Sequence, residues 1–319
     1  MKTAATLVLL AAVAALHLLS PFGSLSVARG IDPALATTLL VELRLPRTLL
    51  ALGYGMTLGI AGAALQALFA NPLASPDITG SSSGAALGAV FASYWLGLTN
   101  PILMALAGAL GAGLALLLLL AVAGKRTEKV ALLLAGLAVS LAAGAATSLL
   151  LALAPSPFAF YDSFEWLMGS FTDRSLAQAA AALVPAAAAC ALLLRRARAL
   201  DLMALGDDVL ASLGHRPRRL GVEIICLSAV GVGACVSVCG AIGFVGLIAP
   251  VVARRLTHGH PGRALLPAGL IGAMLVMLAD FASRSIPLDN AIPVGVLTTL
   301  IGTPVFIASL LSMRGRMAP

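Results

Sequence analysis

The chain has 319 residues, 60% hydrophobic and 10% charged, with a mean hydropathy of +1.04. Such a composition excludes an ordinary soluble domain and defines an all-α polytopic membrane protein, read as one transmembrane domain over residues 1–319. The net charge of +7 does not imply a nucleic-acid partner, because the basic residues sit in short clusters between apolar runs, as the positive-inside rule requires.

In chain order the hydropathy pattern marks ten spans, near 4–20, 48–70, 78–98, 101–123, 130–153, 176–194, 222–240, 241–256, 264–285 and 292–313. The first run, after Lys2, is either a signal peptide, with Ser26 and Ala28 as small residues before a cut, or a retained span. The later spans need an inside-facing start, which favours retention. The second span is entered through Arg44 and Arg47, which frame a Pro, and it ends at Asn71 and Pro72. Ser75, Pro76 and Asp77 then carry the chemistry of a helix start for the third span.

Lys125, Arg126 and Lys129 form a basic turn between spans four and five. The fifth span carries Gly136, Ser140, Gly144 and Ser148 at four-residue intervals. These small residues share one face, which either packs closely on another helix or lines a pathway. The break from Ala154 to Ser175 holds Phe158, Phe160, Tyr161, Phe164, Trp166 and Phe171 beside Asp162, Glu165 and Asp173. An interfacial aromatic belt accounts for it; an outer vestibule is the alternative.

Span six ends at Arg195, Arg196 and Arg198, and a hydrophilic segment follows over 201–220. There Asp207 and Asp208 suit a helix start, Val209, Leu210 and Leu213 form an apolar stripe, and Gly214 suits a C-terminal cap. This short amphipathic helix either packs on its own protein or docks a cytoplasmic partner. Of the last four spans, the pair over 222–256 is the least regular, since AIGFVGLIAP is short and interrupted.

With both termini inside, fifteen of the twenty Lys and Arg fall inside. The outer exceptions are Arg29, Arg44, Arg47, Arg174 and Arg284. Arginines at span ends commonly snorkel to headgroups, but Arg44, Arg47 and Arg284 together could also make a cationic rim for an acidic partner. Asp280 stands one turn from Arg284 and is read as its structural partner. No Walker-type GxxxxGK[ST] motif, HExxH or zinc-spaced Cys/His set occurs, and the cysteines read as small hydrophobes. No cofactor or metal is expected in this chain. Asp280 is the one arguable deep ionisable group for a proton-driven carrier, so the energy is expected from a partner; an ion-gradient-driven secondary carrier is the alternative.

The blocks ELRLPRTLLALGYGMTLGIAGAALQALFANPLASPDITGSSSGAALGA, EWLMGSF, LALGDDVLASLGHRPRRL, GAIGFVGLIAP, LLPAGLIGAMLVMLAD and IPVGVLTTLIGTPVFI resemble, in order, the FecCD-type permeases of bacterial ABC importers. The resemblance covers nearly the whole chain. It implies a ten-helix inner-membrane permease that pairs with a second copy or a close relative. Two cytoplasmic ATP-binding subunits, holding the ATP and Mg, drive it, and a periplasmic binding protein delivers an iron-siderophore complex, haem or cobalamin. Residue by residue, it implies docking of the binding protein at Arg44, Arg47 and Arg284, and ATPase coupling through Asp207, Asp208, Val209, Leu210, Leu213 and Gly214. A pathway wall and gate is implied at Lys129, Val130, Gly136, Ser140, Gly144 and Ser148. The chain departs from the family pattern at Val251, where a His is common, and at Ala291, where an acid is common.

Overall fold

The computed structural model describes residues 2–20, 22–124, 129–286 and 292–317; Lys125, Arg126 and Ala291 lie outside them. Fifteen α-helices follow in order: α1 Lys2–Leu19, α2 Phe22–Ile31, α3 Pro33–Thr38, α4 Leu45–Leu68, α5 Ser81–Trp95, α6 Pro101–Ala123, α7 Lys129–Ala152, α8 Pro157–Leu167, α9 Leu176–Arg195, α10 Ala197–Met203, α11 Asp207–Ser212, α12 Pro217–Cys239, α13 Val245–Leu256, α14 Pro261–Ser285 and α15 Val294–Met317. A π-helical turn, Leu39–Arg44, joins α3 to α4, and a 3-10 turn, Pro76–Thr79, precedes α5. Local chemistry explains many of these starts. Proline sits in the first turn of α4, α6, α8, α12 and α14, where its missing N–H is not needed. Asn100 accepts from the amides of Ile102 and Leu103, and Ser175 with Gln178 closes a reciprocal capping box at the start of α9.

Helix α4 is the central element, packed against α14, α9, α12 and α13. Its glycines explain why. Gly55 and Gly59 face main-chain atoms of Gly272 and Ala268 on α14, and Gly62 faces the carbonyl of Gly246 on α13, so a Cβ at any of the three would collide with backbone. Where lipid surrounds a protein, close approach of this kind replaces hydrophobic exclusion as the source of helix association. Tyr54 and Leu50 are fully buried on the same helix, and Tyr54 meets Phe171 edge-on at 6.5 Å.

Among the described residues, six helical stretches are long and apolar enough to cross a bilayer: Pro33–Leu68, Pro101–Ala123, Lys129–Ala152, Leu176–Arg195, Pro217–Cys239 and Pro261–Ser285. Two of the spans marked by hydropathy are shorter than they looked. The helix in 78–98 covers only the 15 residues of α5, because Ser75, Pro76 and Asp77 start a 3-10 turn that ends at Gly80 in the left-handed region. The one in 241–256 is the 12-residue α13, about 18 Å long against a hydrocarbon core of about 30 Å.

Between α12 and α13 the backbone from Gly240 to Phe244 is not helical, and its polar groups find partners elsewhere. Ser170 N–H donates to the Cys239 carbonyl at 2.8 Å and the Tyr54 hydroxyl to the Gly240 carbonyl at 3.1 Å. Further on, Gln66 Nε2 donates to the Leu247 carbonyl at 3.1 Å. Irregular backbone at membrane depth is tolerated only when protein satisfies it in this way.

Gly59→Val should therefore separate α4 from α14 and abolish a monodisperse detergent-solubilised species, overpacking of this kind costing about 1–3 kcal/mol or more. Gly144→Ala, where a Cβ meets open space, should leave both elution profile and melting temperature unchanged in size-exclusion and thermal-shift measurements.

Candidate functional site: a buried clasp and an exposed helix at opposite ends

At the end where α4 begins and α14 finishes, one carboxylate gathers the polar side chains of three helices. Asp280 of α14 has no solvent exposure. Arg47 grips it in a fork, Nε to Oδ2 at 2.9 Å and Nη2 to Oδ1 at 2.9 Å. His17 of α1 donates from Nε2 to Oδ2 at 2.8 Å, its other ring nitrogen pairs with the Thr48 hydroxyl at 2.8 Å, and Arg284 Nε lies 3.2 Å from Oδ2.

The remaining guanidinium nitrogens hold the end of α1. Arg284 donates to the carbonyls of His17 and Ser20, and Arg44 to that of Leu19 at 2.7 Å. These carbonyls have no partner inside the helix and lie at its negative pole, so the arginines satisfy hydrogen bonds and dipole together.

Arg44, Arg47 and Arg284 thus stand together at one end, but they do not form an open rim. The side chains of Arg47 and Arg284 are 17% and 13% exposed and turn inward. Asp280 does pair with Arg284, as its spacing suggests, yet the bidentate partner is Arg47, 233 residues away. His17 escaped the sequence reading altogether. The signal was available: His17 is a lone polar side chain late in the first apolar run, and Asp280 the lone acid in the ninth, and each needs a buried partner.

Helix α8 carries the aromatic cluster. Phe158 and Tyr161 are exposed, Phe160 stacks on Phe164 at 5.8 Å between centroids, and the Tyr94 hydroxyl donates to the Ala159 carbonyl. Asp162, Glu165, Trp166, Asp173 and Arg174 line an open cavity of about 550 Å³ between α5, α6 and α8. Helix α8 thus combines an exposed aromatic surface with one wall of this cavity.

Gly262, at the opposite end of α14, lies 18 residues and about 27 Å from Asp280 along the helix axis. Its N–H donates to the Asp201 carboxylate at 2.8 Å, fixing α10 to α14. Ala199, Leu200 and Met203 bury the rest of α10. Helix α11 follows, from Asp207 to Ser212, with Gly214 beyond it at φ +83°. The expected apolar stripe divides: Leu210 is fully buried and anchors α11, whereas Leu205, Val209 and Leu213 face outward beside the exposed Asp207 and Asp208.

The small-residue face of α7 divides too. Gly136 is buried against the Ile78 carbonyl, and Ser140 shares a hydroxyl hydrogen bond with Ser83 at 3.0 Å, so that half packs on the Pro76–Thr79 turn and α5. Gly144 meets open space and Ser148 is exposed, its hydroxyl returned to the Gly144 carbonyl at 3.0 Å. Val130 is exposed at the start of the helix, beside the half-buried Lys129.

A helical bundle of spanning length, knotted by charge at one end and showing a short amphipathic helix at the other, has the form of a membrane transport subunit. Comparison with known proteins agrees. The model of the FecCD transport family matches residues 3–312. The Fe(3+)-citrate import system permease protein YfmE of Bacillus subtilis is 36% identical over 272 residues, 83% of this chain and 80% of that protein. The vitamin B12 import system permease protein BtuC of Vibrio cholerae is 37% identical over 300 residues, 91% and 85% of the two chains. An inward-facing metal-chelate type ABC transporter superposes with a TM-score of 0.81 at 32% identity, covering 88% of this chain and 90% of that one. The chain belongs to the FecCD transport family, and so is a permease subunit of an ABC importer.

Truncating Asp280 to Ala would leave the half-buried guanidiniums of Arg47 and Arg284 without their shared carboxylate. Breaking a buried pair in this way costs about 3–5 kcal/mol. The Asp280→Ala protein should show a large drop in melting temperature in detergent, and His17→Ala a smaller one.

Proposed function

We propose that this chain, with a second permease copy, forms the membrane pathway of an importer that carries an iron chelate, a siderophore complex or haem, from periplasm to cytoplasm. In this reading the protein lies in the bacterial inner membrane with α11 and both termini inside. The short helices α5 and α13, together with α1 and α15, complete ten passages. Arg44, Arg47 and Arg284 receive acidic residues of a periplasmic binding protein, and two cytoplasmic subunits, which hold the ATP and Mg, grip α11. The chain itself holds no cofactor and hydrolyses nothing.

The observation that carries this reading is the division of α11. A helix pinned by one buried leucine, with Leu205, Val209 and Leu213 left outside beside two acids, is built to be covered by another protein. The positive-inside charge pattern supports an inside position for that helix, where an ATP-binding subunit would stand. A cobalamin import role is the second reading, favoured by the 37% identity to the B12 permease over 91% of this chain. At the other end, two guanidiniums sharing one carboxylate leave positive charge that a docking partner's acids can meet, which steers association.

Uptake by vesicles holding the permease, its ATPase and its binding protein tests the proposal, with ferric citrate, a ferric hydroxamate, haemin and cyanocobalamin as probes. Accumulation of one of the iron chelates or haemin only with ATP inside is expected; uptake that ignores ATP and collapses with the proton gradient would refute an ATP-driven importer. The double variant Val209→Asp/Leu213→Asp should reduce co-purification of the ATPase at least about tenfold, since two exposed apolar anchors are charged. Its melting temperature should remain that of the parent.

A further inference from the structure

Lys129 and Asp207 belong to regions to which sequence gives different tasks, the inner end of α7 and the start of α11. In the folded chain they meet: Lys129 Nζ lies 2.8 Å from Asp207 Oδ1, across 78 residues of sequence. The pair is half open to solvent, 33% and 48% exposed. It stands at an open cavity of about 360 Å³ whose walls include Leu68, Val130, Pro217 and Gly221. Leu132 of α7 and Leu210 of α11 belong to one buried apolar cluster, and the ion pair adds a solvent-exposed polar link between the two helices.

The other ties of this inner region differ in kind. Helix α10 is set into the core by Ala199, Leu200 and Met203 and bonded to the first turn of α14 through Asp201. The ends of α9 and α12 are joined by Arg196 and Glu223 at 2.8 Å. Helix α7, by contrast, packs mainly on α5, α6 and the Pro76–Thr79 turn. Among the described residues its hydrogen-bonded link to the α10–α11 segment is the lysine–aspartate pair.

Asp207 stands in the first turn of α11, where an acid is stabilised. A half-exposed pair is too weak to hold a fold, but it can bias a two-state equilibrium severalfold.

We propose that the Lys129–Asp207 ion pair is the breakable tie through which displacement of α11 reaches α7, closed in one state of the transport cycle and open in another. The pair positions α7 and touches no solute. The proposal rests on the reading of α11 as the ATPase-docking helix, and the test keeps the two apart.

Complexes of permease and ATPase in vesicles would be compared for parent, Lys129→Glu, Asp207→Lys, the swapped double variant and Lys129→Arg. The readouts are solute accumulated per ATP hydrolysed, using whichever probe the parent complex takes up, and ATPase co-purification. Lys129→Glu should lower uptake per ATP by about three- to tenfold while the ATPase stays bound, and Asp207→Lys should lower it by a similar factor. The swap should restore it to within about twofold, and Lys129→Arg should retain it. Uptake per ATP at the parent value in Lys129→Glu with the ATPase bound, or a swap no better than the single variants, would overturn the ion-pair proposal alone. An ATPase that still binds Val209→Asp/Leu213→Asp undiminished would overturn the docking reading beneath it.

Discussion

A carboxylate with no contact with water, placed where α14 ends, is the constraint to which that half of this protein answers. An isolated charge of that kind would cost many kcal/mol and must be paired and hydrogen-bonded to persist. Asp280 meets the requirement with groups from three helices: Arg47 from α4, His17 from α1 and Arg284 from its own helix. The geometry leaves little freedom, since a forked guanidinium fixes both distance and plane. The order of α1, α4 and α14 at that end follows from satisfying one acid, and α1 is further held because Arg44 and Arg284 occupy its terminal carbonyls.

Deeper in the bundle the organising principle changes from charge to proximity. The glycines of α4 bring its backbone against those of α14 and α13, and the latter is a half-length helix whose approach segment is irregular. Pro250 removes the amide that would have bonded the Gly246 carbonyl, and Gly62 lets that carbonyl sit against α4. Tyr54 and Gln66, also on α4, supply hydrogen bonds to the interrupted chain. One helix thus provides both the smooth surface and the polar groups that a broken neighbour needs.

Much of this was legible in the sequence, and what was not has a physical reason. Six long crossings, the amphipathic α11 and its glycine terminus follow from periodicity and composition, which are local. The helical run through residues 22–44 was missed because its mixed polarity gives neither a span nor an amphipathic repeat. The shortness of α5 was hidden because Ser75, Pro76 and Asp77 are as suitable for a 3-10 turn as for an α-helix, and only Gly80 marks the difference. The inward turn of Arg44 and Arg47 could not be read from spacing, because the groups that claim them are Asp280 and the end of α1. Hydropathy marks these arginines as flanking an apolar run, but it carries no information about which way a side chain points.

The two ends of the molecule are built with opposite strengths, and the contrast bears on how such a subunit could move. The clasp is water-poor, forked and shared by several groups, so opening it exposes charges that have nowhere else to pair. At the opposite end, some 27 Å away along α14, ties run from a backbone N–H held by Asp201 to a solvent-exposed lysine–aspartate pair, and the latter exchanges its partner for water at little cost. Rearrangement in such a structure starts at the weaker end, with the clasp as its fixed point. A bundle with equal ties at both ends would shift as a whole or not at all, and would have no means of opening one side before the other.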